Sequence, residues 1–307
     1  MILITGAAGF IGINFLKYFK DRCNDDLLVI DKLSYASNPK QLDKLKVEYQ
    51  VVDISDMNSL SFIFKKYKIN SVINFAAESH VDNSIKNCMP FVESNIIGTI
   101  NLLKLSVEND VNRFLQISTD EVFGTVINQS FSETSQINPR NPYSASKASA
   151  EHFVKAFENT YNIPTVIINS SNNYGPFQYP EKLIPLTVKN LLSGKTVPVY
   201  GDGQQIRDWL YVEDSCEIIE KIFTQGRIGE RYCIGGDNQI KNLDLVKKII
   251  NKLQLNENRI EFVADRLGHD VKYHTDISKI KNEFNWQPKW NIDDGLDETI
   301  EWIKNND

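Results

Sequence analysis

The sequence predicts an α/β protein, a doubly wound parallel sheet with helices on both faces followed by a smaller mixed α/β lobe. Three observations predict this fold class. Short apolar segments alternate with amphipathic segments through the first half of the chain, and a glycine-rich turn follows the first of them. After Tyr174, proline and glycine become frequent and strand-like segments become sparse. Such alternation is typical of parallel strands joined by helical crossovers.

Six apolar segments are predicted to be buried strands, namely Ile2–Ile4, Leu27–Ile30, Tyr49–Val52, Ser71–Asn74, Phe114–Ile117 and Thr165–Ile168. Apolar residues at helical spacing predict helices over Ile13–Lys20, Met57–Tyr67, Val92–Glu108 and Ser144–Tyr161, and later over Leu243–Leu253 and near the end. We expect residues 1–174 to form one domain. Residues 175–307 are expected to form the second lobe, with some segments returning to the first domain.

Composition and charge exclude several classes of protein. The 307 residues are 41% hydrophobic and 24% charged, with a net charge of -6 that is spread along the chain, so a nucleic-acid binder is not expected. The four cysteines form no CxxC pair, which favours buried free thiols in a reduced compartment over disulfides or a metal site. No apolar run approaches the roughly 18–20 residues of a membrane span, and the start lacks a signal-peptide pattern. A cytoplasmic protein is predicted.

A dinucleotide site is predicted at the first strand–helix turn. The segment Gly6–Gly12 has glycines at GxxGxxG spacing, which lets the backbone approach a pyrophosphate at a helix N-terminus. Asp31 ends the second strand, where a carboxylate can bind ribose hydroxyls and would repel a 2′-phosphate. NAD is therefore favoured over NADP in a Rossmann-type domain. Asp53 and Ile54 could contact the adenine, or Asp53 could cap a helix.

A redox pair is predicted at the start of a later helix. Tyr143 and Lys147 are four residues apart and so share one helix face. A nearby ammonium, together with a positive nicotinamide, would lower the pKa of the phenol. Tyr143 could then take a proton from a sugar hydroxyl.

Two adjacent carboxyl groups follow the fifth strand. Thr119 provides a hydroxyl for a substrate oxygen, and Asp120 and Glu121 come directly after it. An enzyme that eliminates water needs one group to protonate a departing hydroxyl and another to remove a carbon-bound proton. We expect Asp120 to be protonated and Glu121 to be ionised. The alternative is that Asp120 caps a turn and Glu121 is solvated.

Eight strings make the chain resemble the dTDP-glucose 4,6-dehydratases of the extended short-chain dehydrogenase/reductase family. They are TGAAGFIG, DKLSYASN, FAAESHVDNSI, STDEVFG, NPYSASKA, NNYGPFQYPEKLIPL, YGDGQQIRDWLYVEDS and DRLGHD. The resemblance runs from Met1 to about Trp302. It implies an NAD-dependent hydro-lyase that forms a 4-keto-6-deoxy sugar nucleotide, with NAD tightly bound.

The resemblance also implies roles for individual residues. Tyr143 and Lys147 would drive oxidation at C4 with Thr119 holding O4, Glu121 would remove the C5 proton, and Asp120 would protonate the leaving C6 hydroxyl. The implied cofactor contacts beyond Gly6, Gly9, Gly12, Tyr143 and Lys147 are Phe10, Ile11, Asp31, Lys32, Asp53, Ile54, Ala76, Ala77 and Asn173. The implied substrate contacts beyond Thr119 are Ser79, Asn172, Lys182, Leu183, Pro198, Val199, Tyr200, Arg207, Asn242, Arg266 and His269.

Arg207 and Arg266 are the best candidates for the substrate diphosphate, because a guanidinium group matches it bidentately. Either could instead form an ordinary surface salt bridge. Asn83 and Leu267 stand where the dTDP-glucose dehydratases usually have arginine and proline, and Asn83 is like the UDP-glucose 4,6-dehydratases. A UDP-sugar 4-epimerase, a UDP-glucuronate decarboxylase and a cofactor-sensing binding protein are more distant alternatives. Homodimerisation through Val92–Glu108 and Ser144–Tyr161 is implied by the family.

Overall fold

A seven-stranded parallel sheet forms the centre of the molecule, whose computed structural model describes residues 1–126 and 129–306. Its strands are β1 (Ile2–Thr5), β2 (Leu27–Asp31), β3 (Glu48–Val51), β4 (Ser71–Asn74), β5 (Arg113–Thr119), β6 (Thr165–Ser170) and β10 (Arg231–Ile234). Their spatial order is β10-β6-β5-β4-β1-β2-β3. The doubly wound parallel fold predicted from the sequence is therefore confirmed.

Two details of the strand prediction were wrong. β3 is one of the two edge strands, and Val51 is 62% exposed there, so this strand is not buried. β10 was not predicted, although it pairs with β6 from Arg231↔Ile167 to Ile234↔Ser170. It lies within the segment assigned to the second lobe, which agrees with the expectation that some of that segment returns to the first domain.

Helices cover both faces of the sheet and also pack in the smaller lobe. They are α1 (Phe10–Phe19), α2 (Pro39–Leu45), α3 (Met57–Lys66), α4 (Val81–Lys86), α5 (Met89–Phe91), α6 (Gly98–Glu108), α7 (Pro142–Tyr161), α8 (Leu183–Leu192), α9 (Val212–Gln225), α10 (Asn242–Lys252), α11 (Ser278–Phe284) and α12 (Ile292–Asn306). Ile2 and Ile4 pack towards α1 and α9, whereas Leu3 packs towards α3 and α6. This alternation follows from the two-residue period of a strand.

The helix predicted over Val92–Glu108 is interrupted. Residues Val92–Ile97 form a π-helical segment, and the α-helix begins at Gly98. A Cβ at Gly98 would lie 2.4 Å from Cγ1 of Ile54, so the helix approaches the β3–α3 turn closely. Within the π-helical segment the buried Asn95 amide donates to Ser146 Oγ at 2.8 Å and to the Glu78 carbonyl. Such segments often occur at functional sites.

The smaller lobe contains more strands than predicted. β7 (Asn172–Tyr174), β9 (Ile206–Tyr211) and β11 (Gln239–Lys241) form one sheet, and β8 (Val197–Tyr200) pairs with β12 (Ile260–Val263). The prediction of sparse strands after Tyr174 was wrong because these strands are short and interrupted by turns. α8, α10 and α12 pack with them around a separate apolar core.

Among the residues that the structure describes, no helix is long and apolar enough to cross a bilayer, and no cluster of three or more acidic, histidine or cysteine side chains could hold a metal ion. All four cysteines are free thiols. Cys216 and Cys233 are buried as expected, but Cys88 is exposed and Cys23 is half-buried.

Candidate active site

The glycine turn brings β1, β4 and α1 unusually close together. Gly6 has a φ of +67°, and a Cβ there would lie 2.5 Å from the Ala76 nitrogen. A Cβ at Gly12 would lie 2.5 Å from the Gly6 carbonyl oxygen. Gly9 caps α1 and provides no side-chain hydrogen bond, so the N–H groups of the first helical turn keep their capacity to bind an anion.

A cavity of about 230 Å³ opens beside this turn. Most of the predicted cofactor residues line it, together with two predicted substrate residues: Gly6, Gly9, Phe10, Ile11, Gly12, Asp31, Lys32, Asp53, Ile54, Ala76, Ala77, Tyr143, Lys147, Ser79 and Lys182. Asn173 does not line it. The Asn173 amide instead donates to Ser170 Oγ at 2.7 Å and to the Ser171 carbonyl, so it holds the turn after β6.

Asp31 lies where the sequence predicts a ribose-binding carboxylate. One oxygen accepts from the Ala8 N–H at 2.9 Å, and the other accepts from the Leu33 N–H at 2.8 Å and from Ser37 Oγ at 3.2 Å. A carboxylate has about four acceptor sites, so capacity for one more donor remains. The cradle around the glycine turn and this carboxylate together fit a dinucleotide.

Asp53 does not cap the helix that follows it. Its carboxylate accepts from the Ser55 N–H and hydroxyl, both at 2.8 Å, which closes a local turn. Asp56 caps α3 instead, accepting from Asn58 N–H and Ser59 N–H. The helix-cap alternative for Asp53 was therefore wrong, and Asp53 lies at the cavity wall.

We expect Gly6→Ala to lose the dinucleotide and to destabilise the fold, because the new methyl group would meet the backbone of β4. Gly194→Ala is the matched control, since Gly194 has a φ of +70° and nothing lies within 4 Å of its Cβ position. The control should be destabilised only by the strain of a left-handed backbone at a residue with a Cβ, about 1–2 kcal/mol. Urea unfolding and the bound dinucleotide content measure both effects. Equal losses in the two variants would contradict the close approach.

The start of α7 is fixed by its own sequence. Asn141 and Ser144 form a reciprocal capping box, and Pro142 occupies the first helical position. This places Tyr143 and Lys147 in successive turns at the cavity wall, where both are buried. Lys147 Nζ donates to the Ile117 carbonyl at 2.7 Å. Burial lowers the pKa of Lys147 to about 8, although the negative charge of Glu151 opposes this.

The environment of Tyr143 differs from the one expected. Burial and the carboxylate of Glu121 raise the pKa of Tyr143 above its ordinary value, while the Thr119 hydroxyl acts in the opposite direction. The Lys147 ammonium, expected to lower this pKa together with a positive nicotinamide, does not lower it by itself. The Lys147 ammonium is directed to the end of β5, so a positive charge supplied beside the phenol would be needed to lower its pKa.

Asp120 and Glu121 lie on a 3₁₀ turn, Asp120–Phe123, at the carboxyl end of β5. Thr119 caps this turn, since its hydroxyl accepts from the Glu121 N–H at 3.2 Å. The alternative in which Asp120 caps the turn and Glu121 is solvated was therefore wrong. Asp120 is 1% exposed, and its carboxylate accepts a hydrogen bond from the Thr275 hydroxyl at 3.5 Å.

The two carboxyl groups have different electrostatic surroundings. Burial, Glu121 and Asp208 raise the pKa of Asp120 well above its usual value, and this favours the protonated form that the sequence predicts. Burial also raises the pKa of Glu121, but Arg207, Lys182 and Arg266 all lower it. The pKa of Glu121 is raised overall, but three cations limit the shift, whereas neighbouring carboxyl groups add to the shift at Asp120, which is therefore the better candidate for the protonated member of the pair.

The two candidate diphosphate arginines both have protein partners. Arg266 forms a bidentate pair with Asp82, at 2.6 and 3.0 Å, which is the salt-bridge alternative. Arg207 is buried and donates to the carbonyl oxygens of Ile206 and Asp270 at 2.8 and 2.9 Å. Both arginines act on the pKa of Glu121, so the structure brings them to the same site.

The remaining predicted substrate residues surround these arginines. Tyr200 donates to Asp82 at 3.2 Å, and its ring lies beneath the Arg266 guanidinium and 6.3 Å from the His269 ring. Lys182 Nζ donates to the Ser79 carbonyl at 2.8 Å. Lys182 precedes α8, and Leu183 is the first residue of that helix.

Polar and apolar residues of the predicted substrate set are placed differently. The side-chain oxygens of Asn172 and Asn242 are buried and have no hydrogen-bond partner among the described residues, so both can accept a hydrogen bond from a ligand. Pro198 is half-buried in β8. Val199 is 2% exposed and packs in the core of the smaller lobe. Only the backbone of Val199 can therefore face a ligand.

Several cavity residues were missed by sequence reasoning. They include Ser34, Ala36 and Ser37 after β2, and Gln178, Tyr179 and Glu181 before α8. Tyr35 donates to both carboxylate oxygens of Glu181, at 3.1 and 3.0 Å, and so links these two loops. Both loops lie in strings that carry the family resemblance, DKLSYASN and NNYGPFQYPEKLIPL. Those strings were the available signal, but they do not reveal that the loops meet.

Comparisons with known proteins find relatives over nearly the whole chain. The family model described as GDP-mannose 4,6 dehydratase matches residues 3–299. A dTDP-glucose 4,6-dehydratase of Haemophilus influenzae is 43% identical, over 98% of this chain and 97% of its own length. The low-salt glycan biosynthesis protein Agl12 of Haloferax volcanii is 41% identical, over 100% of this chain and 99% of its own length.

A solved structure is also closely similar. DesIV, a dTDP-glucose 4,6-dehydratase from Streptomyces venezuelae solved with NAD and dTDP bound, superposes with a TM-score of 0.96 at 38% sequence identity. The match covers 99% of this chain and 97% of that chain. The similarity therefore extends over both the central sheet and the smaller lobe.

Proposed function

The chain belongs to the GDP-mannose 4,6 dehydratase family, and on that premise we propose that it acts as a dTDP-glucose 4,6-dehydratase. It converts dTDP-glucose to dTDP-4-keto-6-deoxyglucose and water. The observation that carries this function is the adjacent pair Asp120 and Glu121 beside Tyr143. Burial raises the pKa of both carboxyl groups, but three cations oppose the shift at Glu121, whereas carboxyl groups add to it at Asp120. A dehydratase needs such a pair, whereas a simple dehydrogenase does not.

The residues around the glycine turn hold NAD in this proposal. The first turn of α1 binds the pyrophosphate, Asp31 accepts a hydrogen bond from a ribose hydroxyl, and Asp53 and Ile54 lie beside the adenine. NAD bound in this way supplies the hydride acceptor for oxidation at C4 and the hydride donor for reduction at C6. Its positive nicotinamide also provides the charge that Tyr143 needs.

Oxidation at C4 is assigned to the residues on α7 and β5. Tyr143 takes the proton of the C4 hydroxyl while hydride leaves the same carbon, and the Thr119 hydroxyl holds O4. Lys147, fixed by the Ile117 carbonyl, provides a second positive charge on the same face of α7. The product of this step is a ketone at C4, which acidifies the neighbouring C5 proton.

Elimination is assigned to the carboxyl pair. Glu121 removes the C5 proton, and the nearby cations Arg207, Lys182 and Arg266 favour its ionised form against the effect of burial. Asp120, kept protonated by burial, gives its proton to the C6 hydroxyl, which leaves as water. After hydride returns to C6, Glu121 gives its proton back to C5, so the net change is the loss of one water molecule. Asp120 is reprotonated by solvent or by the Tyr143 proton before the next cycle.

The sugar nucleotide is assigned to the groove between the sheet and the smaller lobe. The side-chain oxygens of Asn172 and Asn242 have no hydrogen-bond partner among the described residues and could accept from the sugar nucleotide there. Arg207 and Arg266 are proposed to contact the diphosphate, which would compete with Asp82 for Arg266. Ser79, Lys182, Leu183, Pro198, Val199, Tyr200 and His269 complete the proposed site.

The alternative with a specific observation in its favour is a UDP-glucose 4,6-dehydratase. Asn83, where the dTDP enzymes usually have arginine, lies in α4, and its amide reaches the Tyr35 hydroxyl at 3.5 Å. A 4-epimerase or a decarboxylase would share the redox pair but would not need Asp120 and Glu121. A binding protein would not need Tyr143 or Lys147.

The decisive assay incubates the purified protein with dTDP-glucose and, separately, with UDP-glucose, without added NAD. Mass spectrometry then detects the 4-keto-6-deoxy product. We expect product from dTDP-glucose at a rate at least tenfold above that from UDP-glucose. Comparable rates would indicate a permissive base pocket, and product from UDP-glucose alone would favour the alternative. The dehydratase function fails if neither donor gives product when NAD is supplied.

The domain division, the homodimer and the cellular location also remain proposals. The division into 1–174 and 175–307 is supported by the separate apolar core of the smaller lobe. Homodimerisation is supported by exposed apolar side chains at Met89, Ile97 and Phe153, near or within the two helical segments that the family uses; the molar mass from light scattering tests it. A cytoplasmic location is supported by the four free thiols, and fractionation tests it.

A further inference from the structure

A buried carboxylate that the proposed chemistry does not use lies beneath the redox pair. Glu151 is fully buried, one helical turn beyond Lys147 and two beyond Tyr143, on the same face of α7. An isolated carboxylate at such a depth would be strongly destabilising, so it requires partners. Arg231, on β10, supplies the charge partner at 2.6 Å.

The other oxygen of Glu151 connects the strands that carry the site. It accepts from the Ser118 hydroxyl and from the Asn169 amide, the latter at 2.7 Å. The same amide of Asn169 also donates to the Thr119 carbonyl at 2.9 Å. Glu151 therefore holds the last residues of β5 and β6 in register, directly before Asp120.

Arg231 reaches the catalytic turn from the opposite side. Its guanidinium lies 5.5 Å from the centre of the Phe123 ring, and Phe123 ends the turn that carries Asp120 and Glu121. Glu151 lies on α7 and Arg231 on β10, and the pair contacts side chains of β5, β6 and the 3₁₀ turn. Side chains from five elements meet at one buried ion pair.

We propose that Glu151 is a positioning residue, whose carboxylate, paired with Arg231, clamps the carboxyl ends of β5 and β6 beneath Tyr143 and Lys147. The inference rests on the proposed redox function of those two residues. The clamp fixes the Ile117 carbonyl that holds Lys147, because Ile117 directly precedes Ser118. It also places a negative charge near the Lys147 ammonium.

The negative charge of Glu151 should have a measurable effect on the pKa of Lys147. The charged or titratable groups that face Glu151 are Arg231 and Cys233 on β10, and Lys147 on its own helix. Burial lowers the pKa of Lys147 to about 8, and Glu151 is the charged group that raises it. Removing the charge of Glu151 should therefore favour the neutral amine of Lys147 at a lower pH.

The test titrates Lys147 directly by the carbon-13 shift of its ε-methylene group, assigned by the signal missing from Lys147→Met. We expect Glu151→Gln to lower the Lys147 pKa by about one unit, a tenfold change in the protonation equilibrium. In the dehydratase assay, the alkaline limb of the kcat profile should move down by the same amount. Glu151→Asp, which keeps the charge, should restore both.

Glu158→Gln is the matched control. Glu158 lies on the same helix and also forms an ion pair, with Lys155 at 2.7 Å, but at the far end from the site. Its variant should leave the Lys147 titration unchanged. Arg231→Gln removes the cation that opposes the effect of burial on the Glu151 pKa, so Glu151 should become neutral. The Lys147 pKa should then fall as in Glu151→Gln, and this variant provides the test if Glu151→Gln does not fold.

An unchanged Lys147 titration in both Glu151→Gln and Arg231→Gln would overturn the inference, whatever happens to stability. A shifted titration in a protein that produces no 4-keto-6-deoxy sugar would support the clamp while rejecting the proposed function. The titration does not depend on substrate, so the two failures are distinguishable.

Discussion

Tyr143→Phe is expected to abolish oxidation at C4 and therefore all product formation. The variant lacks the only phenol at the cavity wall that lies beside both Lys147 and Thr119 among the described residues. Loss of a general base of this kind costs about 10²–10⁴-fold in rate. Because burial raises the pKa of this phenol, the variant removes no buried charge, and the fold should be retained.

The measurement is single-turnover reduction of bound NAD, followed at its near-ultraviolet absorbance after mixing with dTDP-glucose. Tyr161→Phe is the matched control, since Tyr161 lies on the same helix but is 55% exposed. Substrate binding by Tyr143→Phe should remain within a few-fold of the native protein. Turnover like that of the native protein would refute the redox assignment.

Glu121→Gln is expected to separate oxidation from elimination. The amide cannot take the C5 proton, yet Tyr143, Lys147 and the dinucleotide cavity are unchanged. The variant should therefore reduce NAD on mixing with substrate and then stop, with product formation lower by about 10²–10⁴-fold. Exchange of the C5 hydrogen with deuterated water should be lost as well. Normal dehydration would show that another group is the C5 base.

Glu213→Gln is a suitable control for this change. Burial also raises the pKa of Glu213, but its neighbours are Lys17, Asp214 and Glu298, on other surfaces. The variant should keep both phases of the reaction. A loss of elimination in both variants would indicate a general effect of replacing a carboxyl group whose pKa is raised.

Asp120→Asn should not lower the free energy of unfolding at neutral pH, whereas most substitutions of buried residues do. The pKa of Asp120 is raised in the folded protein, so the folded state binds its proton more tightly than the unfolded state does. The stability contributed by this proton is present below about pH 4 and is lost as the pH rises towards the folded pKa. The asparagine variant lacks this loss. Its free energy of unfolding should fall less than that of the native protein between pH 4 and neutrality.

The same asparagine cannot protonate the departing C6 hydroxyl, so activity should fall although stability does not. Chemical denaturation across this pH range measures the first effect, and the product assay measures the second. If Asp120→Asn loses stability at neutral pH as well, the carboxyl group is ionised in the folded protein, and the assignment of the acid is wrong.

Local features of the chain were predictable because they depend on neighbours in sequence. The apolar period gave the strands and helices of the first half, and the glycine spacing gave the turn between β1 and α1. The four-residue interval between Tyr143 and Lys147 gave their common helix face, since an α-helix repeats every 3.6 residues. Asp31 was found in the same way, at the end of a strand.

The electrostatic state of the site was not predictable in that way. Arg266 meets Asp82 across 184 positions, and Arg231 meets Glu151 across 80. Arg266 also acts on the pKa of Glu121, and burial raises the pKa of Tyr143. The number of strands in the smaller lobe was underestimated for the same reason, because these short strands pair with partners that are distant in the sequence.

The sequence by itself therefore determined the parallel sheet, the dinucleotide turn and the candidates for the reacting groups, which are encoded in spacing along single elements. Only the tertiary structure decided the electrostatic surroundings of Asp120 and Glu121, the fixation of Lys147 on β5, and the Glu151–Arg231 pair beneath them. Burial and Coulomb interaction depend on distances in space between groups that are remote along the chain. No periodicity within one segment contains that information.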